Sequence, residues 1–337
     1  MRALVLTKHG PPEQALEVRD WPEPAPGAGE VLIDVRAAGL NFADVMARAG
    51  LYPDAPKPPC VMGYEVAGTI AAVGPDVSGF VPGQRVAAAT RFTGFAERTV
   101  AKAADALPLP DEVSFEQGAA VPVVYGTAYT AIALLAGVRP GETALVHAAA
   151  GGVGIALTQL LRDRGADVIG TASAAKHDAI REQGVSHAID YRSQDVEKEV
   201  LRLTSGQGVA VVFDALGEFK QSFKLLRPGG RLVMYGASKL LTGDRRNVAK
   251  ALSTVVTMPR FSALKLMNEN KSVMGLNLLK WWDARGSLQD QTGALLELMQ
   301  RGVIKPVVAQ TFSFSEAAAA HRFIQERKNV GKVILTP

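Results

Sequence analysis

The chain has 337 residues, 47% of them apolar and 21% charged, with a formal net charge of +4 at pH 7. That length suits roughly two domains, and the balance is that of a globular protein with a large core. The basic residues form no continuous stripe, which argues against nucleic-acid binding, and the single cysteine, Cys60, excludes intrachain disulfides and multi-cysteine metal cages.

No apolar run approaches the roughly 20 residues that cross a bilayer. The opening MRALVLTKHGPPEQ lacks the apolar core of a secretion signal and reads as a strand. With so little cysteine, these features predict a cytoplasmic protein. Residues 1–113 carry short β-like runs, RALVLT, EVLIDVRAAG, EVAGTIAAVG, QRVAAA and FAERTVA, parted by turns such as PAPGAG and VPGQ. This is the pattern of a compact, partly closed β domain. SFEQGAAVPVVYGTAYTAIALLAG then predicts helix, with Ser114 as N-cap, Gln117 three residues on and Pro122 as a kink or division. From residue 143 the strand candidates TALVHA, DVIGTA, HAID, AVVFDA and RLVMYG alternate with helical runs beginning near Gly152, Ala174, Asp195 and Phe219. Such alternation predicts βαβ units and a parallel sheet. Residues 240–270 read as an irregular segment or helical insertion. Across 239–271, Lys239, Arg245, Arg246, Lys250, Arg260, Lys265 and Lys271 are opposed only by Asp244 and Glu269. SVMGLNL resembles a further strand, LQDQTGALLELMQRG and SEAAAAHRFIQERKN are helices, and VGKVILTP is a strand that returns to the first domain.

Function is most legible at TALVHAAAGGVGIALTQLLRDR, residues 143–164. A strand turns through Ala150, Gly151, Gly152, Val153 and Gly154 into an amphipathic helix. Without side chains there, backbone N–H groups and the helix N-terminus can approach a pyrophosphate. The spacing is Ala149-x-Gly151-x-x-Gly154, alanine replacing the usual first glycine, in the strand–turn–helix context the motif requires. The next strand ends in Gly170-Thr171-Ala172-Ser173-Ala174-Ala175-Lys176 with no acid to bind an unmodified ribose. Ser173 and Lys176 suit a 2′-phosphate instead, so the predicted cofactor is NADPH. Tyr191 is a further candidate for that rim. Gly217, Gly236 and Ala237 follow the fourth and fifth strands, where the sheet's carboxyl edge faces a cofactor.

Together, AAGLNFADVMARAGLYP (37–53), GYEVAGTIAAVG (63–74), GQRVAA (83–88), VHAAAGGVG (146–154), GTASAAKHDAIREQGVSHAIDY (170–191), LLRPGGRLVMYG (225–236) and NVGKVIL (329–335) resemble the medium-chain dehydrogenase/reductase superfamily. Within it, they resemble the zinc-independent quinone oxidoreductases. GTASAAKH and SKLLTGDRRN (238–247) are similar to the vesicle amine transport protein-like branch. The resemblance implies a GroES-like, partly closed β-barrel catalytic domain (1–122 and 270–337) and a Rossmann domain with a doubly wound parallel sheet (123–269), the nicotinamide lying between them. Zinc-dependent relatives carry a cysteine where this chain has Gly39-Leu40-Asn41-Phe42 and Gly-His-Glu where it has Gly63-Tyr64-Glu65, so no metal is expected.

Without a Lewis acid, hydride addition to an already activated quinone or α,β-unsaturated carbonyl remains feasible. The resemblance points to Asn41 as a hydrogen-bond donor near the nicotinamide and substrate carbonyl, and to Tyr52 as proton donor or enolate stabiliser. Tyr64 fills the lost ligand's place, a catalytic role being the sharper alternative. Asp44 reads as a first-turn carboxylate behind an Asn41 N-cap, His147 as a packed strand residue and Cys60 as inert. Asn329 and Lys332 match a family position that reaches the cofactor. A homodimer is expected, SVMGLNL pairing with its mate. The alternative reading is an NADPH-binding protein of little activity whose 239–271 segment engages a membrane surface or partner.

Overall fold

The computed structural model describes residues 1–238 and 258–337, so most of the basic segment, 239–257, lies outside the described residues. Runs of β-branched and small residues form β1 (Arg2–Leu6), β2 (Leu16–Asp20), β3 (Glu30–Leu40), β4 (Cys60–Val61), β5 (Glu65–Val73), β6 (Arg85–Ala89), β7 (Arg98–Lys102) and β8 (Ala106–Pro108). The second set comprises β9 (Thr143–Val146), β10 (Asp167–Ala172), β11 (His187–Asp190), β12 (Val209–Asp214), β13 (Leu226–Met234) and β14 (Ser272–Gly275), and the chain closes with β15 (Val308–Ser313) and β16 (Lys332–Thr336). Two units result, one of Met1–Gly126 with Trp282–Pro337 and one covering the described residues between them.

In the first unit, β3 is the hub, pairing antiparallel with β5, β7 and β16. Its register against β5 shifts at Leu32/Ile33 and again at Val35/Ala37. Such irregularities bend a strand and let a sheet curl. Gly68 sits at that crossing, where a Cβ would stand 2.0 Å from Asp34 O. The closing strand does return here, Val333 pairing with Leu40.

The second unit holds a parallel sheet in the order β11-β10-β9-β12-β13-β14. Counted from β9, this is the doubly wound 3-2-1-4-5-6 order, whose switch point falls between β9 and β12. Every residue of β12 is buried, as a strand covered on both faces requires. The domain boundary expected at residue 270 is corrected to 281/282. Ser272–Gly275 pairs in parallel with Arg231–Met234, so SVMG completes the dinucleotide sheet as its edge strand. The first boundary moves from 122/123 to 126/127, inside the helix Pro122–Tyr129.

Ser114 and Gln117 form the predicted capping box, with Gln117 N donating to Ser114 Oγ (3.2 Å) and Ser114 N donating to Gln117 Oε1 (3.1 Å). The resulting helix stops at Gly118, and Pro122 opens the next. By length and composition alone the stretch Phe115–Ala136 could cross a membrane, contrary to the sequence reading, but 72% of its most apolar window is buried inside the protein.

The helix Ala317–Gln325 buries His321 at 1% exposure, with no hydrogen-bond partner for either ring nitrogen among the described residues. Burial, with the nearby Arg48 charge, pushes the imidazole down to about 3. The unfolded chain therefore binds the extra proton between about pH 6.5 and 3. Stability supplied by neutral His321 is complete above that window and lost as pH falls through it, by about 3 kcal/mol between pH 7 and pH 4. In His321→Asn, the difference between denaturant midpoints at these two pH values is expected to shrink accordingly.

Candidate active site

The glycine turn is built by neighbouring strands. His147 N donates to Phe213 O (3.1 Å), Ala149 N to Thr171 O (3.1 Å), and Gly151 N to Ala148 O (2.9 Å), with Ala148 itself at φ 53°. A Cβ on Gly154 would stand 2.3 Å from Ala148 O, so the bare backbone is what seats the helix Gly152–Asp163. Gly151 is different: its nearest neighbour would be 3.4 Å away, an ordinary contact. Packing does not demand a glycine there, and the open backbone fits a ligand. Ala149 is tolerated in place of the usual glycine because its methyl packs over Gly170, whose own Cβ would come within 2.9 Å of it. The helix has no side-chain cap, leaving first-turn N–H groups from Gly152 to Gly154 for an anion.

Ala172 pairs with Asp190, so Ser173 and Tyr191 each directly follow a paired strand end at the carboxyl edge. Lys176 closes the tight turn after Ser173, its N–H donating to Ser173 O (2.9 Å). Arg192 places its guanidinium 6.0 Å from the centre of the Tyr191 ring. Sequence reasoning missed Arg192, although it directly follows Tyr191. Asp190 is turned into its own loop, accepting from Ser193 Oγ (2.7 Å) and Arg192 N (3.1 Å), which hold its carboxyl below the usual range.

At the end of β12, fully buried Asp214 accepts from Leu216 N (2.7 Å), Gly217 N (3.0 Å) and Ser222 Oγ (2.7 Å). This clamp, also missed, fixes the turn where Gly217 takes φ 94°. A Cβ on Gly217 would meet Ala237 Cα at 3.6 Å, and one on Gly236 would meet Ala215 O at 3.0 Å. The three predicted residues of this edge are thus brought together. His147 is packed, its Nδ1 3.1 Å from Thr171 Oγ1.

The first unit carries a polar cluster around Asn41, which precedes the helix Phe42–Arg48. Asn41 N donates to Asp44 Oδ2 (2.8 Å). Its Nδ2 donates to Gly39 O (3.2 Å) and Glu65 Oε1 (3.0 Å), while its Oδ1 accepts from Lys332 Nζ (2.6 Å). Lys332 Nζ also lies 2.5 Å from Glu65 Oε1, with side-chain exposures of 4% and 0%. Glu65 Oε2 accepts from Val123 N (2.8 Å). Gly39 makes this possible, since a Cβ there would stand 2.7 Å from both Glu65 Cγ and Lys332 Cε. Burial pushes Asp44 up to about 7; the Asn41 N–H and Lys332 charge pull it down, and Glu65 pushes it further up.

Beside this cluster, Tyr52 meets Tyr64 edge-on at 6.3 Å, and Tyr64 lies 4.8 Å from Phe92. Burial pushes Tyr52 up to about 12 and raises Tyr64 still more strongly. Both phenols are donors at neutral pH and unsuited to act as bases. Tyr64 Oη has no hydrogen-bond partner among the described residues. Cys60 is buried, its thiol pushed up to about 11, which makes it a poor nucleophile.

The alcohol dehydrogenase GroES-like domain family matches residues 27–111, and a family described as zinc-binding dehydrogenase matches residues 183–335. The human synaptic vesicle membrane protein VAT-1 homolog is 40% identical over 342 residues, covering 100% of this chain and 86% of that protein. The chain belongs to the medium-chain dehydrogenase/reductase family. Among solved members, Escherichia coli quinone oxidoreductase complexed with NADPH superposes with a TM-score of 0.86 at 30% identity, covering 100% of both chains. The CurK enoyl reductase gives 0.86 at 29% identity, covering 99% of this chain and 98% of its own.

In this medium-chain dehydrogenase/reductase, two expected roles meet different surroundings. Lys332 is held inside the first unit by Glu65 and Asn41, and Asn329 Nδ2 donates to Gly331 O (2.8 Å). Both Asn41 amide protons are already given within the chain, so its expected donation to a substrate carbonyl has no free proton to use. Among the described residues, no group of three or more His, Cys, Asp or Glu side chains is gathered to hold a metal ion.

Proposed function

We propose that this chain is an NADPH-dependent reductase that transfers hydride to quinones or α,β-unsaturated carbonyls without a catalytic metal. The observation that supports this reading is the glycine turn at the β9/β12 switch point, together with a strand-end rim of Ser173, Lys176, Tyr191 and Arg192 in which the acid Asp190 is bound to its own loop. Gly151 to Gly154 hold the pyrophosphate, and Gly217, Gly236 and Ala237 shape the edge beyond it. When bound, NADPH supplies the hydride. Tyr52 and Tyr64 are the neutral donors of the first unit, and the Glu65–Lys332–Asn41 cluster holds the helix that follows Asn41. Tyrosine in Gly63-Tyr64-Glu65 and the inert Cys60 support chemistry without zinc.

Titration distinguishes the cofactors. NADPH is expected to bind at least about 10-fold more tightly than NADH. Lys176→Ala is expected to weaken NADPH about 10-fold, roughly 1.4 kcal/mol, while leaving NADH unchanged. Equal affinities in the unaltered protein contradict the assignment.

A second reading, membrane or partner association with little activity, has one observation in its favour. Leu264 and Met267 of the helix Ala263–Glu269 are 71% and 70% exposed. Yet Glu269 pairs with Lys271 (3.0 Å) and Phe261 packs against Phe223 at 5.0 Å, so part of the segment serves the fold. Sedimentation with anionic liposomes at physiological salt separates the readings, binding being expected only for the second. We also propose a homodimer joined through the β14 edge, which light scattering at micromolar concentration tests; a monomer contradicts it.

A further inference from the structure

Tyr64 presents a buried hydroxyl that the described residues leave unused. The residue is 6% exposed, and Oη has no partner among them. Its ring is held in place from several sides. Phe92 lies against it at 4.8 Å and Tyr52 edge-on at 6.3 Å. Its backbone is fixed as well: Thr90 N donates to Tyr64 O (2.7 Å) and Thr90 Oγ1 to Gly63 O (3.1 Å). Gly63 takes φ 101°, and a Cβ on it would strike the Phe95 ring at 2.6 Å. A rigid, buried, unsatisfied donor costs stability in the free protein. It repays that cost only when something accepts its hydrogen bond.

The neighbouring candidate, Asn41, is not available for this task. Its two amide protons go to Gly39 O and Glu65 Oε1. Turning the amide over would set its NH2 against the Lys332 ammonium and its oxygen against the Glu65 carboxylate, so the pair fixes the orientation. We propose that Tyr64 donates the hydrogen bond to the oxygen of the acceptor, an uncharged quinone or enone whose ring or chain lies against Tyr52 and Phe92. This inference rests on the reductase reading and deepens it.

Hydride addition brings two electrons and one hydrogen to the acceptor carbon and leaves negative charge on its oxygen. The Tyr64 O–H bond dipole points at that charge as it forms, so the contact strengthens in the transition state. Tyr64 keeps its own proton, in keeping with a phenol whose ionisation burial opposes. The proton that completes the reduction comes from solvent.

Tyr64→Phe removes only the hydroxyl and keeps the ring contacts. Its kcat/KM for 1,4-naphthoquinone with NADPH is expected to fall about 100-fold, with NADPH affinity unchanged and a melting temperature equal to or above that of the unaltered protein. A purely structural tyrosine would show neither the loss nor that combination. Unchanged kcat/KM in Tyr64→Phe overturns the proposal, as does an equal loss in Tyr52→Phe without one in Tyr64→Phe. Equilibrium dialysis of 1,4-naphthoquinone reads the same contact without turnover, so it stands even if the unaltered protein oxidises no NADPH. Weaker binding by Tyr64→Phe supports the contact, and affinity within twofold of the unaltered protein contradicts it.

Discussion

Lys332→Met is expected to destabilise the protein by about 3–5 kcal/mol, because it leaves the Glu65 carboxylate buried without its counter-charge. Glu65 has no exposed side-chain surface, and Lys332 Nζ at 2.5 Å is the cation placed against it. The two remaining donors, Val123 N and Asn41 Nδ2, satisfy its oxygens but do not neutralise it. The loss lies in the unpaired charge more than in the missing contact, so Glu65→Gln combined with Lys332→Met is expected to recover much of it. Denaturant midpoints of the two single variants and the double variant measure the coupling. A double variant no more stable than Lys332→Met shows that the pair matters through packing and not through charge. Asn41 loses the donor to its Oδ1 in either case, so the start of the helix Phe42–Arg48 is expected to loosen together with the pair.

The second large effect separates two glycines of one motif. Gly154→Ala is expected to cost about 1–3 kcal/mol of stability by overpacking. Its Cβ would meet Ala148 O at 2.3 Å, Ala149 Cα at 2.7 Å and Ala149 C at 2.8 Å, all backbone atoms that cannot swing aside. Gly151 has an extended backbone, φ −78° and ψ 166°, which alanine adopts freely, and its Cβ would touch nothing closer than 3.4 Å. Gly151→Ala is therefore expected to fold as the unaltered protein does and to weaken NADPH by at least about 10-fold, roughly 1.4 kcal/mol, because the methyl occupies the pyrophosphate's approach. Thermal unfolding and NADPH titration of both variants check this split. Unchanged NADPH affinity in Gly151→Ala places the pyrophosphate elsewhere.

How much of this was legible in the sequence depended on how far apart the interacting residues stand. AVVFDA reads as a buried strand from its own six residues, and the glycine turn announces itself within a dozen. The edge strand SVMG was legible as a strand, but its partner Arg231–Met234 lies some 40 residues earlier, and periodicity carries no information about pairing. That is why the domain boundary was misplaced. Ala149 looked like a departure from the motif until Gly170, on the next strand, supplied the missing space. The Glu65–Lys332–Asn41 cluster was the least legible, since Lys332 and Asn41 are 291 residues apart. Nothing local distinguishes a lysine that neutralises a buried carboxylate from one that reaches a phosphate. The orphan Tyr64 hydroxyl was likewise invisible, because a missing partner is a property of the packed core and not of the residue.

The proposed function requires bound NADPH to be a working hydride donor with the assigned preference. Initial rates of reduced-nicotinamide consumption, measured with NADPH and with NADH across quinones, enones and alkenals, test this most directly. The expected result is consumption with at least one of these acceptors and a kcat/KM at least about 10-fold higher for NADPH than for NADH. No consumption of NADPH across the panel, or equal use of NADH, would contradict it.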